Sequence, residues 1–209
     1  MSKPKIILIG AGGHAHACID VIEQHGGYQI AGLVGMAEEM HAEHLGYKVI
    51  ATDNDLPELV KAYQYAFITV GQIQSSNHRI RLYQHATELG FQMPVFIAFS
   101  AHVSCHASIG VGTIVMHGAI VNAGARVGNN CIINTCAVLE HDVAVEDNCH
   151  ISTGAILNGD VKIGSGSFVG SGSIIKEGLT LGQRCVVGMG LAVRHNQPAH
   201  TQFLGHDKS

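Results

Sequence analysis

From Val103 to Val193 an aliphatic residue returns every sixth position without a break: Val103, Ile109, Val115, Val121, Val127, Ile133, Leu139, Val145, Ile151, Leu157, Ile163, Val169, Ile175, Leu181, Val187 and Val193. Neither the period of two of a strand nor the 3.6 of a helix gives six. A short strand followed by a corner does, and a fixed hexapeptide period is the sequence mark of a parallel β-helix. Each hexad can bury its aliphatic side chain only by stacking on its neighbours. Three hexads closing one triangular coil give eighteen residues per turn, so Cys131, Cys149, Ser167 and Cys185 are expected to stack in one inward column. The residue after the aliphatic is often glycine, as at Gly110, Gly128, Gly164, Gly170, Gly182 and Gly188. That pattern assigns the sharp corner, and its positive φ, to this position.

Before the repeat the period changes. Lys5–Ile9 reads as a strand ending at Gly10, followed by a helix with Cys18, Val21 and Ile22 on one face. Further strands are expected at Tyr28–Val34, Lys48–Ala51, Ala66–Val70 and Val95–Ala98. Helices are expected from Asp55 to Tyr63, with Asp55 and Glu58 as a capping pair, and from Ser76 to Leu89, stopped by Gly90. Alternating strands and helices argue a small parallel α/β sheet. The expected division is a Rossmann-like domain over residues 1–99 and a β-helix over 100–209, the boundary falling near Phe99–His102.

Composition closes off several classes. The net charge of −4 leaves no clustered basic footprint for nucleic acid. No apolar run reaches membrane-spanning length, and MSKPKIILIG carries no signal-like run, so a cytoplasmic protein is expected. The six cysteines hold no C-x-x-C pair. Three of them fall in the small inward slot of the repeat, which reads as buried free thiols.

Gly10-x-Gly12-x-x-Ala15 has the form of a dinucleotide fingerprint, in which backbone N–H groups at a helix N-terminus meet a pyrophosphate. A nicotinamide site also wants an acid at the end of the second strand. Val34, Gly35 and Met36 stand there, with Glu38 and Glu39 further on, so the loop reads as a pyrophosphate site without nicotinamide.

A Rossmann-like head with Gly-x-Gly-Gly-His after its first strand, joined to a hexapeptide coil, resembles the NeuD/PglD sugar acetyltransferases. The sharpest local match is Asn134–Gly164, NTCAVLEHDVAVEDNCHISTGAILNGDVKIG. The resemblance implies a left-handed β-helix, acetyl-CoA as cosubstrate, no metal, and a homotrimer with active sites between adjacent subunits. It also implies N-acetylation of a nucleotide-activated amino sugar for a bacterial surface glycan, of the UDP-4-amino-4,6-dideoxy-N-acetylhexosamine type.

Carried over residue by residue, the resemblance makes His141 the general base, with Glu140 and Asp142 beside it. A carboxylate near an imidazole fixes its tautomer and raises its basicity. The PglD-like branch places Glu where this chain has Asp142. Asn134 corresponds to a residue near the sugar, and Gly12, Gly13, His14 and Gly71 to the nucleotide-sugar loop. His150, Gly159, Ser171, Met189 and Gly190 correspond to the acetyl-CoA channel, with the Gly159 N–H on the thioester oxygen. Val34 and Gly35 occupy the place where that branch carries an acidic pair against uracil. Near the C-terminus His206 stands where relatives carry a Gly-x-Pro-Ala-Lys segment that touches CoA, so part of that clamp is expected to be missing.

Three other readings remain open on the sequence. A sialic-acid-type O-acetyltransferase would use the same base on a hydroxyl. A metal-dependent hydratase would need three converging histidines, which His106, His117, His141 and His150 do not supply by the eighteen-residue count. A non-enzymatic sugar-nucleotide binding protein would have no use for Glu140-His141-Asp142.

Overall fold

The structure, a computed structural model, describes residues 3–205. The chain forms two compact units, Met1–Gly71 with His78–Phe99, and Gln72–Asn77 with Ser100–Ser209.

The first unit is an α/β layer. Its strands are β1 (Lys5–Ile9), β2 (Gln29–Gly35), β3 (Glu43–His44), β4 (Tyr47–Thr52) and β5 (Tyr65–Ile68), in the order β3-β4-β2-β1-β5. All pairs are parallel except β3 with β4, a short hairpin absent from the sequence-based expectation. The helices are α1 (Gly13–His25), α2 (Leu56–Ala62) and α3 (Asn77–Glu88). Helix α1 buries Ala15, Cys18, Ile19, Val21 and Ile22 and stops at Gly26, whose φ of 68° lets its N–H reach the Ile22 carbonyl at 3.2 Å. The cap expected between Asp55 and Glu58 is made otherwise. The Asp55 carboxylate accepts from the Thr52 N–H and hydroxyl, both at 2.8 Å, and Glu58 pairs with Lys61 at 2.7 Å.

The second unit is a parallel β-helix. Two-residue strands recur every six residues from His102–Val103 to Ala192–Val193. Up to Ile174–Ile175, each pairs in parallel with the strand eighteen residues on, as Ile120 with Val138 and Ile132 with His150. The second residue of every strand is the aliphatic of the series, and all are buried from Val115 to Val193. Each such side chain is worth roughly 1.5–3 kcal/mol over its exposed state.

The corners differ from the expectation. Positive φ belongs to the third residue after the aliphatic: Gly112, Gly118 and Gly124 have φ of 69°, 67° and 77°. Where that place is not glycine it is often Asn or Asp, as at Asn130, Asp142, Asn148 and Asp160, the side chains that tolerate the left-handed region best. The glycine directly after the aliphatic serves a different need. A β-carbon on Gly110 would stand 2.5 Å from the carbonyl carbon of Gly128, and one on Gly170 would stand 2.6 Å from that of Gly188. Successive coils touch backbone to backbone there, and any side chain would push them apart.

One inward column is polar for a reason visible in its bonds. The Thr113 hydroxyl donates to the Gly128 carbonyl at 2.8 Å and accepts the Cys131 N–H at 2.9 Å. Ser167 repeats this with the Gly182 carbonyl and the Cys185 N–H. Cys131, Cys149 and Cys185 are buried in the same column, each thiol directed at a backbone carbonyl. Burial raises the Cys149 thiol well above the ordinary range, and its contact with Cys131 adds to the effect.

Candidate active site

In the first unit, a cleft of about 560 Å³ opens at the C-terminal ends of β1, β2 and β5. Ligands of open parallel sheets sit in this position. Gly10 is required by contact: its φ is 120°, and a β-carbon would meet Val70 Cγ2 at 2.6 Å. The loop is pinned on both sides. The Gly10 N–H donates to the Val34 carbonyl at 2.8 Å, and the Thr69 hydroxyl donates to the Gly10 carbonyl at 2.6 Å. Gly12 and Gly13 differ, since a β-carbon on either would meet nothing within 4 Å. No protein packing requires glycine at those two positions.

His14 lies on the first turn of α1, its Nε2 3.4 Å from the Cys18 thiol, and Gly71 passes beside its Cβ. Cys18 is fully buried and its pKa is pushed up to about 12 by desolvation, so the neighbour of His14 is a neutral thiol. Val34 and Gly35 line the cleft as expected of the second strand end. The structure adds what the sequence did not place there. Residues 37–39 form a single 3-10 turn that folds Glu39 back, so that its Oε2 accepts the Met36 N–H at 2.8 Å. A β-carbon on Gly35 would fall 2.8 Å from the same oxygen. A carboxylate therefore does stand at the end of β2, delivered from four residues downstream into room left by Gly35.

In the second unit, His141 projects from the corner after the Val138–Leu139 strand. Its Nδ1 is 3.0 Å from Asp142 Oδ2, both side chains being largely exposed. The shorter Asp142 reaches the ring, from a backbone in the left-handed region at φ 62°. A carboxylate accepts only, so Nδ1 carries the proton and Nε2 presents its lone pair. The ring lies over Gly159, where a β-carbon would be 2.6 Å from Nε2. The Gly159 N–H makes no hydrogen bond to another described residue. Glu140 does not join the imidazole. Its Oε2 accepts from the Asn122 amide at 3.0 Å, one coil back.

The remaining predicted positions gather on a different edge of the prism, the corner after the strands at Ile132–Ile133, His150–Ile151, Phe168–Val169 and Val186–Val187. His150 is buried at 6% exposure. Its Nδ1 donates to the Gln72 carbonyl at 2.7 Å, and its Nε2 accepts from the Asn134 amide at 3.0 Å. Both ring nitrogens are thus committed inside the protein. Ser171 shares a hydrogen bond with Ser152 at 2.9 Å, Met189 is 81% exposed, and Gly190 is left-handed with φ 68°. One chain therefore carries His141, Asp142 and Gly159 on one edge and Asn134, His150, Ser171, Met189 and Gly190 on another. The two edges border the face whose outward residues are His102, Ile120, Val138, Ile156, Ile174 and Ala192. Sequence reasoning missed Gln72, which lies 78 positions from His150 and is visible only in the folded chain.

Among the described residues no group of three or more His, Cys, Asp or Glu side chains could hold a metal ion, and no helix is long and apolar enough to cross a membrane. His206 lies outside the described residues.

Residues 5–85 match the model of the PglD N-terminal domain, and residues 160–194 match that of the hexapeptide repeat of succinyl-transferase. Perosamine N-acetyltransferase from Caulobacter crescentus, in a histidine-to-asparagine form bound to CoA and GDP-perosamine, superimposes with a TM-score of 0.88. It is 31% identical, over 95% of this chain and 92% of its own. The acetyltransferase domain of PglB from Neisseria gonorrhoeae, in complex with acetyl coenzyme A, gives a TM-score of 0.86 at 31% identity over 95% of both chains. WeeI from Acinetobacter baumannii, at 18% identity over 93% of this chain and 94% of its own, shares the fold with a TM-score of 0.73. No curated protein matches the chain. The chain belongs to the hexapeptide-repeat acyltransferases, in the group of PglD- and PerB-like sugar N-acetyltransferases. Its coil is the left-handed parallel β-helix of that family, and the enzyme is an acetyltransferase whose cosubstrate is acetyl-CoA.

Proposed function

We propose that this enzyme N-acetylates a nucleoside-diphosphate-linked 4-amino sugar in the bacterial cytoplasm, as a step in surface-glycan synthesis. The observation that carries the reading is the His141–Asp142 pair, with Nδ1 held at 3.0 Å and Nε2 left over an empty Gly159. In this mechanism the sugar amine attacks the thioester carbonyl as Nε2 takes its proton. The new C–N bond forms, and negative charge collects on the carbonyl oxygen, where the Gly159 N–H is the proposed donor. The C–S bond then breaks, and the proton on His141 passes to the departing CoA thiolate. No covalent enzyme intermediate is required, because holding amine and thioester in one site supplies the proximity term. His150, Ser171, Met189 and Gly190 are the proposed acetyl-CoA side, and Asn134, hydrogen-bonded to His150, is the residue proposed to face the sugar. His150 acts there by fixing Asn134, since its own nitrogens are occupied.

The unit Met1–Gly71 with His78–Phe99 is the proposed nucleotide-sugar holder, through Gly12, Gly13, His14 and Gly71. The UDP-linked sugar is the acceptor expected from the sequence. The perosamine enzyme, with GDP-perosamine bound, favours a GDP-linked amino sugar as the second reading. A thiol-release assay with acetyl-CoA across UDP-, TDP- and GDP-amino sugars and free sialic acid tests the whole reading. Release with sialic acid alone would transfer the enzyme to the O-acetylating class.

The proposed assembly is a homotrimer. Ile120 and Ile174 are 37% and 43% exposed, and with Val138, Ile156 and Ala192 they form an aliphatic ladder in parallel register along one face of the coil, headed by the exposed His102. The neighbouring face turns Ser108, Arg126, Ala144, Lys162 and Thr180 outward. A monomer gains nothing from such an aliphatic ladder in water, and a threefold ring closes by burying it. That arrangement would also bring the His141 edge of one copy towards the acetyl-CoA edge of the next.

A further inference from the structure

The head cleft is bounded by a residue that the sequence did not single out. Helix α3 is anchored by Arg79, which is buried at 1% exposure and donates from Nη1 to the carbonyls of Ile68 at 2.8 Å and Val70 at 2.6 Å. Ile68 ends β5 and Val70 follows two residues on, so the first turn of α3 is fixed against the rim of the cleft. Next to Arg79, His78 and Leu82 line the cleft together with Gly10, Ala11, Gly12 and Val70. A second cleft, of about 470 Å³, shares Asp53, Asn54 and Leu82 with the first and is lined further along α3 by Arg81 and His85. His78, Arg81 and His85 stand at i, i+3 and i+7, which is one face of a helix.

The Arg81–His78 contact decides what His78 can do. Arg81 Nη2 is 3.0 Å from His78 Nδ1. A guanidinium donates only, so Nδ1 must accept, and the proton of the neutral ring sits on Nε2. The nitrogen turned away from Arg81 is therefore a donor, on a residue that lines the same cleft as Gly12.

We infer that His78 is a phosphate-binding residue of the nucleotide-sugar site: its Nε2–H, set by Arg81, donates to the diphosphate opposite the Gly10–Gly13 loop. The inference rests on the nucleotide-sugar reading above and adds to it a side-chain donor for the diphosphate. Arg81, which lines the neighbouring cleft, is a positioning residue that holds the His78 ring.

The test measures binding of GDP, UDP and the corresponding nucleosides to the full-length protein by calorimetry, for the wild type and for His78→Leu and His78→Gln. A hydrogen bond to a charged group sets the expected loss of diphosphate affinity in His78→Leu at about 10- to 100-fold. Nucleoside affinity and the acetyl-CoA Michaelis constant should stay within about twofold. His78→Gln keeps an N–H donor and should recover part of the loss, which a merely structural role would not require. Arg81→Met should free the His78 ring and lower diphosphate affinity by less than His78→Leu does. Diphosphate affinity unchanged in His78→Leu, or lost equally for nucleosides, overturns the inference. A wild-type protein that binds neither diphosphate overturns the nucleotide-sugar reading itself, a separate result read before any variant is made.

Discussion

The imidazole of His141 occupies the space that a side chain at residue 159 would need: a β-carbon on Gly159 would lie 2.6 Å from both Cε1 and Nε2. The two residues are eighteen apart, one coil of the prism, so the glycine below defines where the ring above can rest. Gly159→Ala should displace the ring while leaving the coil intact, because the clash is with a side chain and not with backbone. We expect kcat to fall by at least tenfold with the melting temperature nearly unchanged, measured by steady-state kinetics and thermal unfolding. A fully active Gly159→Ala enzyme would show that the ring position is not critical.

His141→Ala removes the proposed base. Turnover should fall by roughly two to four orders of magnitude, the usual worth of general-base catalysis. Acetyl-CoA affinity should change little. Near-normal turnover at saturating sugar would make His141 a bystander.

Asp142 has two duties that two substitutions separate. Its φ of 62° favours Gly, Asn or Asp, and its carboxylate sets the His141 tautomer. Asp142→Asn should keep the corner and lose the charge, lowering kcat with stability preserved. Asp142→Val should lose both, since a β-branched residue at positive φ is strained. Equal melting temperatures for the two variants would contradict the backbone half of this account.

In the head, Gly13→Leu should raise the acceptor Michaelis constant and leave that of acetyl-CoA alone, because the space above Gly13 is open to a ligand. Gly10→Ala should instead destabilise the fold, through its φ of 120° and its contact with Val70. If Gly13→Leu raised only the acetyl-CoA constant, the two sites would have been assigned the wrong way round.

The thiols separate by burial. Cys105 and Cys136 are exposed, while Cys18, Cys131, Cys149 and Cys185 are buried. A disulfide reagent should titrate two thiols in the native protein and all six after denaturation. Burial raises Cys18 from 9.0 to about 12, so its proton is held more tightly in the folded state. The stability tied to it is complete below pH 9 and is lost as the pH rises towards 12. Urea denaturation should therefore show a decline across that window that is smaller in Cys18→Ala.

The coil was legible because its period is written into the chain: every sixth residue from Val103 to Val193 is the inward residue of a strand. The corners were read one role too simply. Gly110 and Gly112 are both glycine, one for close backbone approach and the other for a φ of 69°, and a letter does not say which. Glu39 was set aside as too far along for the end of β2, since counting residues cannot foresee a 3-10 turn that folds the chain back. The two bonds of His150 escaped for a related reason, because Gln72 lies in a loop whose course over the coil depends on packing between distant segments.

The eighteen-residue register also acts as a ruler for chain length. Inserting a whole coil leaves every later residue on its own edge, only one layer, about 4.8 Å, further along the prism axis. Inserting or deleting a single hexad keeps each aliphatic residue inward and every corner intact, so the coil still closes. It nevertheless turns everything beyond it by a third of a revolution. A hexad removed between His141 and Ser171 would carry Ser171 and Met189 off their edge while barely disturbing the core. Length change in this architecture is therefore quantised: steps of six are tolerated by folding, and steps of eighteen by folding and by the arrangement of the two site-bearing edges.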